Sequence, residues 1–426
     1  MTDRATAPMP AEWAPQDWLW IGFPHDADEW PDYLPRAQEQ IAAFANAVAE
    51  SGQVVRLLVR DAANEARARS LVSGAVTVER GVFGDVWLRD TGPLVRADGT
   101  ALRCRFNGWG GKYLMDGDQT IGAELARDAG LTVVESDWIL EGGAIDGDGT
   151  GLVATTEQCL LNPNRNPALS REDIEARLER DLGFDRVLWL GDGLINDHTD
   201  GHVDNLARFV GPGRLALPRA TGPGDPNAAI YVDAKARAEA FGVAVEDIPS
   251  PGLVTRGDFV EPASYANFAI TTHLVVVPTF DTVHDADGVA AIAALFPDRA
   301  TIGLPADASV AQIRDAVQAW LMRQAKRVFA ERLDHFSPLL GVRYQKLRLS
   351  SAGTRWGSAS ADGTIRLNWR LIHLKLDMID YVVVHELSHL HHMDHSPQFW
   401  DVVASVMPDH AQRRRALRRA AVPLDV

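Results

Sequence analysis

The chain has 426 residues, of which 46% are hydrophobic, and it carries a formal net charge of −16 at pH 7. This length and apolar content suffice for two or three folded domains and exclude a disordered protein. Two cysteines, Cys104 and Cys159, are too few for a disulfide framework, no apolar run could span a bilayer, and the first residues lack the apolar core of a signal peptide. We therefore expect a soluble cytoplasmic protein without a membrane partner.

Short apolar segments alternate with amphipathic ones along the first three quarters of the chain. Residues 18–22 and 54–59 predict strands, and residues 35–51 between them predict a helix that ends at Gly52. The alternation continues with strands predicted at 76–79, 132–134, 187–190, 229–231 and 272–277 and helices predicted at 123–129, 171–181 and 234–241. This pattern is typical of an α/β fold with short connections.

Three polar segments in this region differ from ordinary surface loops. Residues 85–93 place two acids, an arginine and a tryptophan within one turn, and residues 141–143 follow a strand with the sequence Glu-Gly-Gly. Residues 197–205 alternate acids with histidines. Each segment taken alone is more often a solvated polar edge than a site, so a functional interpretation depends on the three together.

The third segment has a composition that suits a guanidinium group. If it is extended, Asp200, His202 and Asp204 project to the same side of the chain. A planar guanidinium prefers two carboxylates, and a histidine beside them can transfer protons. The same Asp-x-His-x-Asp run could also hold a metal ion or form a polar edge. The residues alone leave these alternatives open.

Together with their neighbours, these segments resemble the agmatine deiminase and bacterial peptidylarginine deiminase family over residues 13–305. The resemblance is carried, in order, by Trp87-x-Arg89-Asp90-x-Gly92-Pro93, Asn107-x-Trp109-Gly110-Gly111-Lys112, Glu141-Gly142-Gly143, Cys159 to Asn162 with Asn164 to Pro167, and Thr199 to Asp204. It implies a pentein-like, five-bladed α/β propeller. It also implies a bound guanidine compound as the partner of this part of the chain.

The family's catalytic residues match this chain with one exception. The resemblance implies that Asp90 and Asp204 clamp the guanidinium, that His202 is the general acid/base, and that Trp87 and Glu141 also bind the substrate. The family's nucleophile is a cysteine at the end of a glycine-rich segment close to this point of the chain. Here the sequence continues after residue 305 with Ala-Asp-Ala-Ser-Val instead.

Neither cysteine of the chain is predicted to replace that nucleophile. Cys159 lies in a Cys-Leu-Leu-Asn motif that the family has in addition to its nucleophile, and Cys104 has strand-like apolar residues on either side. Loss of a nucleophile removes orders of magnitude of rate even where binding survives. We expect a deiminase-like domain without useful deiminase activity that can still bind agmatine or another guanidine, and a last blade left incomplete.

The second module begins without a linker. Residues 311–333 predict a long amphipathic helix, and no Ser, Gly or Pro-rich stretch precedes it. We therefore divide the chain into domains 1–308 and 309–426. Acidic residues dominate before this joint and basic residues slightly outnumber acidic ones after it. A natural gene fusion, a rearranged gene and an artificial chimera all fit.

The segment His385-Glu386-Leu387-Ser388-His389 is the strongest catalytic signal in the chain. On a helix its two histidines share one face and can bind one zinc ion, while Glu386 can take a proton from water at the open position. His392, on the same face, and His395, just before the helix start at Ser396-Pro397, are the candidates for the third ligand. We favour His395, because one straight helix cannot easily close three imidazoles around an ion.

From about residue 310 to its end the chain resembles the YgjP-type zinc metallopeptidases, which are related to SprT-like and other zincin folds. The motifs occur in family order at Thr354 to Ser358, Leu367 to Leu371, Asp380 to Leu387, His395 to Pro397 and Phe399-Trp400. The resemblance implies a small α+β zincin-like domain in which His385, His389 and His395 hold zinc and Glu386 is the base. The strand-rich region that usually precedes this part in the family is not found here.

Two further features bear on the substrate of the zinc site. Residues 347–350 and 363–369 predict antiparallel strands on either side of a turn at 362–363, and an edge strand beside a zinc helix suits an extended peptide. The strands could equally serve only to support the helix. Arginines at 413–415 and 418–419 form a basic helix face that could meet nucleic acid or a nucleotide phosphate, although a solvated tail is more frequent.

Three functions fit these features. The first is a zinc-dependent hydrolase, acting as a metallopeptidase, fused to an inactive deiminase-like domain. The second is a guanidine-binding protein without activity whose C-terminal helix is structural. The third is an agmatine or peptidylarginine deiminase, releasing ammonia, that uses one of the two cysteines set aside above. We favour the first, because the zinc-binding histidines and Glu386 are the one complete catalytic set that the sequence shows.

Overall fold

The structure is a computed structural model that describes residues 7–30, 33–256, 259–304, 310–351, 355–374 and 376–419. The chain forms two compact units, residues 1–313 and 314–426. The predicted joint between residues 308 and 309 lies outside the described residues. Within the described ranges, no helix is long and apolar enough to cross a membrane.

The first unit repeats one topology. Its described residues include five three-stranded sheets. In four of them an antiparallel pair of strands is followed by a helical connection to a third strand, which runs parallel to the middle one. In the first sheet all three strands are parallel. Parallel neighbours require a crossover connection, and this requirement explains why helical and strand patterns alternate in the sequence.

The strands and helices of the first unit are short. The five sheets contain β1 (Leu19–Gly22), β2 (Val55–Val59) and β3 (Val76–Arg80); β4 (Leu94–Val95), β5 (Thr100–Arg105) and β6 (Thr132–Ile139); β7 (Asp146–Gly147), β8 (Leu152–Thr156) and β9 (Arg186–Leu190); β10 (Arg208–Gly211), β11 (Arg214–Arg219) and β12 (Ala244–Pro249); and β15 (Ala269–Ile270), β16 (Leu274–Pro278) and β17 (Ala300–Leu304). A separate pair is formed by β13 (Thr255–Arg256) and β14 (Phe259–Val260). The helices are α1 (Leu34–Glu50), α2 (Ala62–Leu71), α3 (Leu88–Thr91), α4 (Gly108–Gly111), α5 (Ile121–Asp128), α6 (Glu157–Leu160), α7 (Arg171–Leu182), α8 (Val203–Leu206), α9 (Ala228–Phe241) and α10 (Asp285–Leu295), with a 3-10 helix at Gly142–Ala144.

Most of the predicted elements are confirmed, and the strand predicted at residues 229–231 is wrong. Residues 229–231, predicted as a strand, form the first turns of α9, because their apolar run belongs to a helix that begins at Ala228. The incomplete last blade stays a prediction; the sheet of β15, β16 and β17 has three strands within the described residues. By contrast, α7 matches its prediction closely: Ser170 and Asp173 form a capping box, and Gly183 ends the helix with a φ of 74°.

Neighbouring sheets of the first unit share their apolar cores. One buried cluster joins Leu152 and Leu188 of the third sheet to Phe209 and Leu215 of the fourth, with Tyr231 of α9 beside them. A second cluster joins the second and third sheets in the same way. Each repeat therefore buries its apolar surface against the next one, as expected for units that cannot bury it alone.

Buried ion pairs link the N-terminal segment to this unit. Glu12 pairs with both Arg89 and Arg208, and Arg208 also contacts Asp146 at 3.1 Å. Burial acts to raise the pKa of Glu12, but Arg208 and Arg89 outweigh it and lower the pKa below its ordinary value. In Asp146 burial dominates and raises the pKa to about 7. The N-terminal segment is thus held by charges that have little access to water.

The second unit is an α+β arrangement around a three-stranded sheet. Its elements are α11 (Val310–Leu340), β18 (Lys346–Ser350), β19 (Gly357–Ala359), β20 (Thr364–Asn368), a 3-10 helix at Trp369–His373, α12 (Leu376–Ser388), α13 (Pro397–Val406) and α14 (His410–Arg419). The strand order is β18-β20-β19, so β19 lies at one edge of the sheet. The helix α11 begins within the last residues of the first unit.

The predicted pairing of β18 with β20 as antiparallel strands is wrong. The two strands are parallel, with Leu347 opposite Ile365. The turn at residues 362–363 instead joins β19 to β20, which pair antiparallel with Ser358 opposite Arg366. The turn was predicted correctly. The pairing was not, because β19 consists of only three small residues and gives almost no strand signal in the sequence.

Replacing Glu12 by glutamine should lower the free energy of unfolding of the first unit by about 3 kcal/mol, because the buried guanidinium of Arg208 and the partly buried one of Arg89 lose their shared carboxylate. The matched control is Glu39→Gln, since Glu39 pairs with Arg67 at the surface at 3.0 Å. Its loss should cost less than about 1 kcal/mol. Urea unfolding of the full chain followed by tryptophan fluorescence measures both values. Equal losses would contradict a central role for the buried pairs.

Candidate functional sites

The first candidate site is a cluster of three histidines in the second unit. His385 and His389 lie one turn apart at the end of α12, and His395 lies in the loop before α13. Their ring centroids are 4.8 to 5.0 Å apart. The Nε2 atoms of His385 and His395 are separated by 3.1 Å. Two nitrogen ligands of one tetrahedral zinc ion stand about 3.3 Å apart, so this spacing suits a shared ion.

Packing of α12 and α13 fixes the three rings. Apolar residues of α12, among them Val383 and Leu387, are fully buried. The ring of Phe399 in α13 lies 4.5 to 4.9 Å from all three imidazoles. Ser396 occupies the N-cap position and Pro397 begins α13, as predicted, although the serine side chain makes no capping hydrogen bond. The helix start therefore turns His395 back toward α12.

His392, the other candidate for the third ligand, plays a different part. The Nδ1 atom of His389 lies 3.0 Å from the carbonyl oxygen of His392, to which it can donate a hydrogen bond. That bond places the proton on Nδ1 and leaves the lone pair of Nε2 available for a metal. At this helix end, the described residues whose ligand atoms lie within 4.8 Å of one another are His385, His389 and His395, without His392.

Burial favours the uncharged form of His385 and His389. It lowers the pKa of His385 to about 3, with further lowering by His389 and His395, and it also lowers the pKa of His389. The Nδ1 atom of His385 is buried and has no hydrogen-bond partner within the described part of the chain. Neutral imidazoles are the form that binds metal ions.

Glu386 lies between the histidine helix and the edge strand β19. Burial raises the pKa of its carboxyl to about 8, and Arg355 opposes this rise in part. A Cβ atom added to Gly357 would stand 2.6 Å from Oε1 of Glu386 and 2.7 Å from its Cγ. The glutamate therefore occupies space that opens only because β19 has a glycine at this point. Nothing in the sequence pattern pointed to this role for Gly357.

The second candidate site is in the first unit, where α3, α8 and the 3-10 helix at 142–144 meet. A Cβ atom added to Gly143 would collide with Nδ1 of His202, Oδ1 of Asp90 and Oδ2 of Asp204. Asp90, Asp204 and His202, which match the family's guanidinium clamp and general acid/base, therefore converge on one point. Glu141 is fully buried close by, whereas Trp87 is 49% exposed.

The expectation that residues 200–204 form an extended strand is wrong. Residues 197–202 form turns, Asp200 has a left-handed φ of 63°, and Asp204 lies in α8. Asp200 consequently points elsewhere and pairs with Lys112 and Arg165. Asp-rich turns readily adopt such local conformations, and these override the alternation read from the sequence.

The carboxylates of this second site already have partners in the protein. Asp90 accepts hydrogen bonds from the backbone N–H of Gly143 at 2.8 Å and from Nε1 of Trp109 at 2.9 Å. Asp204 pairs with Nε of Arg89 at 2.9 Å. Glu141 is fully buried against Arg165 at 3.1 Å. A substrate guanidinium would have to compete with these internal donors.

The two cysteines occupy different surroundings. Cys159 is fully buried in the short helix α6, not in a strand, and lies beside His202. Burial raises the pKa of its thiol, while the adjacent imidazole of His202 acts in the opposite direction. Cys104 lies in β5, where burial raises its pKa to about 12. The closeness of Cys159 to His202 had no signal in the sequence beyond a shared family motif.

Comparison with known proteins assigns the family. The chain belongs to the Porphyromonas-type peptidyl-arginine deiminase family, whose profile matches residues 8–313. Agmatine deiminases of Pseudomonas fluorescens and Stutzerimonas stutzeri are 37% and 36% identical, over 70% of this chain and 90% of each relative. The profile of the YgjP-like metallopeptidase domain matches residues 280–420, so the two matches overlap.

Solved structures agree with this assignment. An agmatine deiminase of C. jejuni matches with a TM-score of 0.65 and 26% identity, over 72% of this chain and 92% of that one. An agmatine deiminase of Enterococcus faecalis matches with a TM-score of 0.65 and 28% identity, over 74% and 95%. Both predicted resemblances and the mixed α/β, pentein-like character of the first unit are thereby confirmed.

Replacing Gly357 by alanine should destabilise the second unit by about 2 kcal/mol, because the added methyl group overlaps Glu386. The stability cost of Gly357→Ala should be smaller by more than about 1 kcal/mol when Glu386 is also replaced by alanine. Urea unfolding of the two single variants and the double variant measures this coupling. Ser358→Ala, at the next position of β19, is the control and should show no coupling to Glu386. An unchanged cost of Gly357→Ala in both backgrounds would contradict the contact.

Proposed function

We propose that the protein is a zinc-dependent hydrolase whose domain 309–426 is a zincin-like metallopeptidase. His385, His389 and His395 would hold the ion and Glu386 would be the general base. The observation that supports this most is the convergence of three imidazoles, two with nitrogen atoms 3.1 Å apart, in a site where burial keeps His385 and His389 neutral. One proton can bridge two such nitrogens, whereas a cation can bind the lone pairs of all three imidazoles.

The donor set fits zinc. Three neutral imidazoles leave one position of a tetrahedral site open, which is the arrangement of catalytic and not of structural zinc. Zinc in this position supplies a Lewis acid that polarises a carbonyl group and lowers the pKa of water. Glu386 contributes the carboxylate that accepts the proton of the attacking water. Its burial makes it a stronger base than an exposed glutamate, and a neighbouring cation favours its ionised form.

The position of β19 favours a peptide substrate. This strand is at the edge of its sheet, and its glycine lies against Glu386. An extended peptide added to the edge would run past the general base, with its backbone held by strand-type hydrogen bonds. A nucleotide is the second candidate, because Arg414 lies 5.0 Å over the ring of Trp400 and that ring stacks with His395. A cation and an aromatic ring beside a metal site also suit a base and its phosphates.

For domain 1–308 we propose a five-bladed α/β propeller that binds a small guanidine without converting it. The five three-stranded sheets would be its blades. His202, Asp90 and Asp204 converge as a guanidine site requires, but the family's cysteine is missing from the sequence after residue 305. Without a thiolate the covalent step has no attacking group.

Three variants test the proposed roles of the histidines and of Glu386. His385→Ala combined with His389→Ala should lower the zinc content by about one ion per chain, because two of three ligands are lost. Glu386→Gln should keep the ion and abolish hydrolysis of a casein or peptide-library substrate. His392→Ala is the control and should keep both, since only its backbone carbonyl supports the site. Elemental analysis of purified protein gives the contents. A zinc content that does not fall in the double variant, or turnover that persists in Glu386→Gln, would refute the assigned roles.

The first domain should release ammonia from agmatine at less than about one thousandth of the rate of the Pseudomonas fluorescens relative assayed in parallel, because it lacks the nucleophile. Calorimetric titration with agmatine should still detect binding that weakens at least about tenfold in Asp90→Asn. Glu39→Gln serves as the control at an exposed acid. Ammonia release that disappears in Cys159→Ala would show that the buried cysteine acts as the nucleophile after all.

A further inference from the structure

A second group of metal-binding side chains lies within the first unit. Glu141 follows β6, Cys159 lies in α6, and His202 precedes α8. One ligand atom from each residue lies within 4.8 Å of the others, and all three residues are buried. We propose that Glu141, Cys159 and His202 form a buried site for a divalent transition metal, with zinc as the ion that best suits a sulfur, a nitrogen and an oxygen donor.

The ring of His202 supplies the first argument. Its Nε2 atom is buried and has no hydrogen-bond partner within the described residues, while its Nδ1 atom lies 3.7 Å from Oδ1 of Asp90. His202 as a whole is 2% exposed. A buried ring nitrogen without a partner is costly unless something binds it. A carboxylate on the opposite nitrogen is the arrangement that orients metal-binding histidines.

The spacing of the donors is close to that of a tetrahedral site. Ligands bonded to zinc at 2.0 to 2.3 Å stand roughly 3.3 to 3.6 Å from one another. The three atoms, no more than 4.8 Å apart, would need to move by about an ångström at most. Small rotations of the three side chains are enough for this. A fourth position would be open to water or to another ligand.

The backbone around Cys159 and His202 is tied together by one threonine. The Oγ1 atom of Thr156 accepts a hydrogen bond from the backbone N–H of Cys159 at 3.1 Å and donates one to the carbonyl oxygen of Gly201 at 2.6 Å. Thr156 is itself fully buried. The helix α6 and the turn before α8 therefore keep a fixed distance, and the thiol and the imidazole are held in place before any ion arrives.

The charges around the group can accept a cation. A thiolate and the Glu141 carboxylate together neutralise a divalent ion, and binding displaces the thiol proton. Arg165 is the positive group nearest to both residues, but it is also paired with Asp200. Burial lowers the pKa of His202, but Asp90, Cys159 and Asp204 outweigh it and raise the pKa to about 10, so an ion would displace a proton from this ring as well as from the thiol. At this point the carboxylates still outnumber the guanidinium groups, which are those of Arg165 and of Arg89, the latter paired with Asp204.

This site is independent of the hydrolase proposed above, because its ligands belong to the other unit. It would also compete with guanidine binding, since Glu141 and His202 are among the residues that resemble the guanidine site. A metal ion bound here would give the deiminase-like domain a binding function of its own, even though the domain lacks the family's nucleophile. It would also stabilise the first unit, because an ion that binds only the folded state adds its binding free energy to folding.

The test isolates this group by removing the histidine site first. In full-length protein carrying His385→Ala and His389→Ala, stripped with a chelator, reloaded with zinc and passed through a sizing column, elemental analysis should find about one zinc per chain. Adding Cys159→Ser should reduce this to none. Adding Cys104→Ser instead should leave it unchanged, because Cys104 in β5 is not part of the group. No zinc in the starting variant, or zinc retained after Cys159→Ser, would overturn the proposal.

A spectroscopic readout keeps the test valid if the Cys159→Ser protein does not fold. The Cys104→Ser protein in the same background contains a single thiol, that of Cys159. Loading it with cobalt(II) should produce the near-ultraviolet charge-transfer band of a thiolate bound to cobalt. A spectrum with no such band would overturn the proposal. Zinc binding at the histidine site beside α12 is measured separately, by comparing the wild-type protein with the His385→Ala and His389→Ala variant. A negative result at one site therefore does not imply a negative result at the other.

Discussion

Three imidazole rings share one small volume, and burial keeps two of them, His385 and His389, from charging; this is the constraint on which the second unit depends. The side chain of Phe399 packs against all three, and the apolar face of α12 removes His385 and His389 from water. Burial of this kind is unfavourable for nitrogen lone pairs that have no donor to accept from. A cation bound by the three nitrogens would remove this cost. Burial in the same site also raises the basicity of Glu386.

The first unit handles its buried polar groups in the opposite way. Its carboxylates are paired within the protein: Glu12 with Arg89 and Arg208, Asp204 with Arg89, and Asp90 with the N–H groups of Gly143 and Trp109. These pairs stabilise the fold and leave less capacity for an incoming guanidinium. Family membership is clear for this unit, yet its internal pairing and the missing cysteine both argue against the family reaction. The chemistry is therefore best supported in the shorter unit.

Much of this could be predicted from the sequence because it depends on local spacing. His385 in α12 and His389 directly after it lie one helical turn apart, and Ser396-Pro397 marks a helix start that places His395. What failed depends on contacts between distant residues. The pairing of β18 with β20, the turn conformation at Asp200 and the closeness of Gly357 to Glu386 are all set by tertiary structure. The repeated sheet topology of the first unit left no repeat in the sequence, because many sequences satisfy the same alternation of strands and helices.

The most direct test of the central claim is the position of zinc in crystals of the full-length protein. Diffraction data collected on both sides of the zinc absorption edge would locate the ion without prior assumptions. We predict an anomalous difference peak within bonding distance of Nε2 of His385, His389 and His395, with Glu386 beside its open side. Zinc-loaded crystals without a peak between these three imidazoles would contradict the assignment of this unit as a zinc hydrolase.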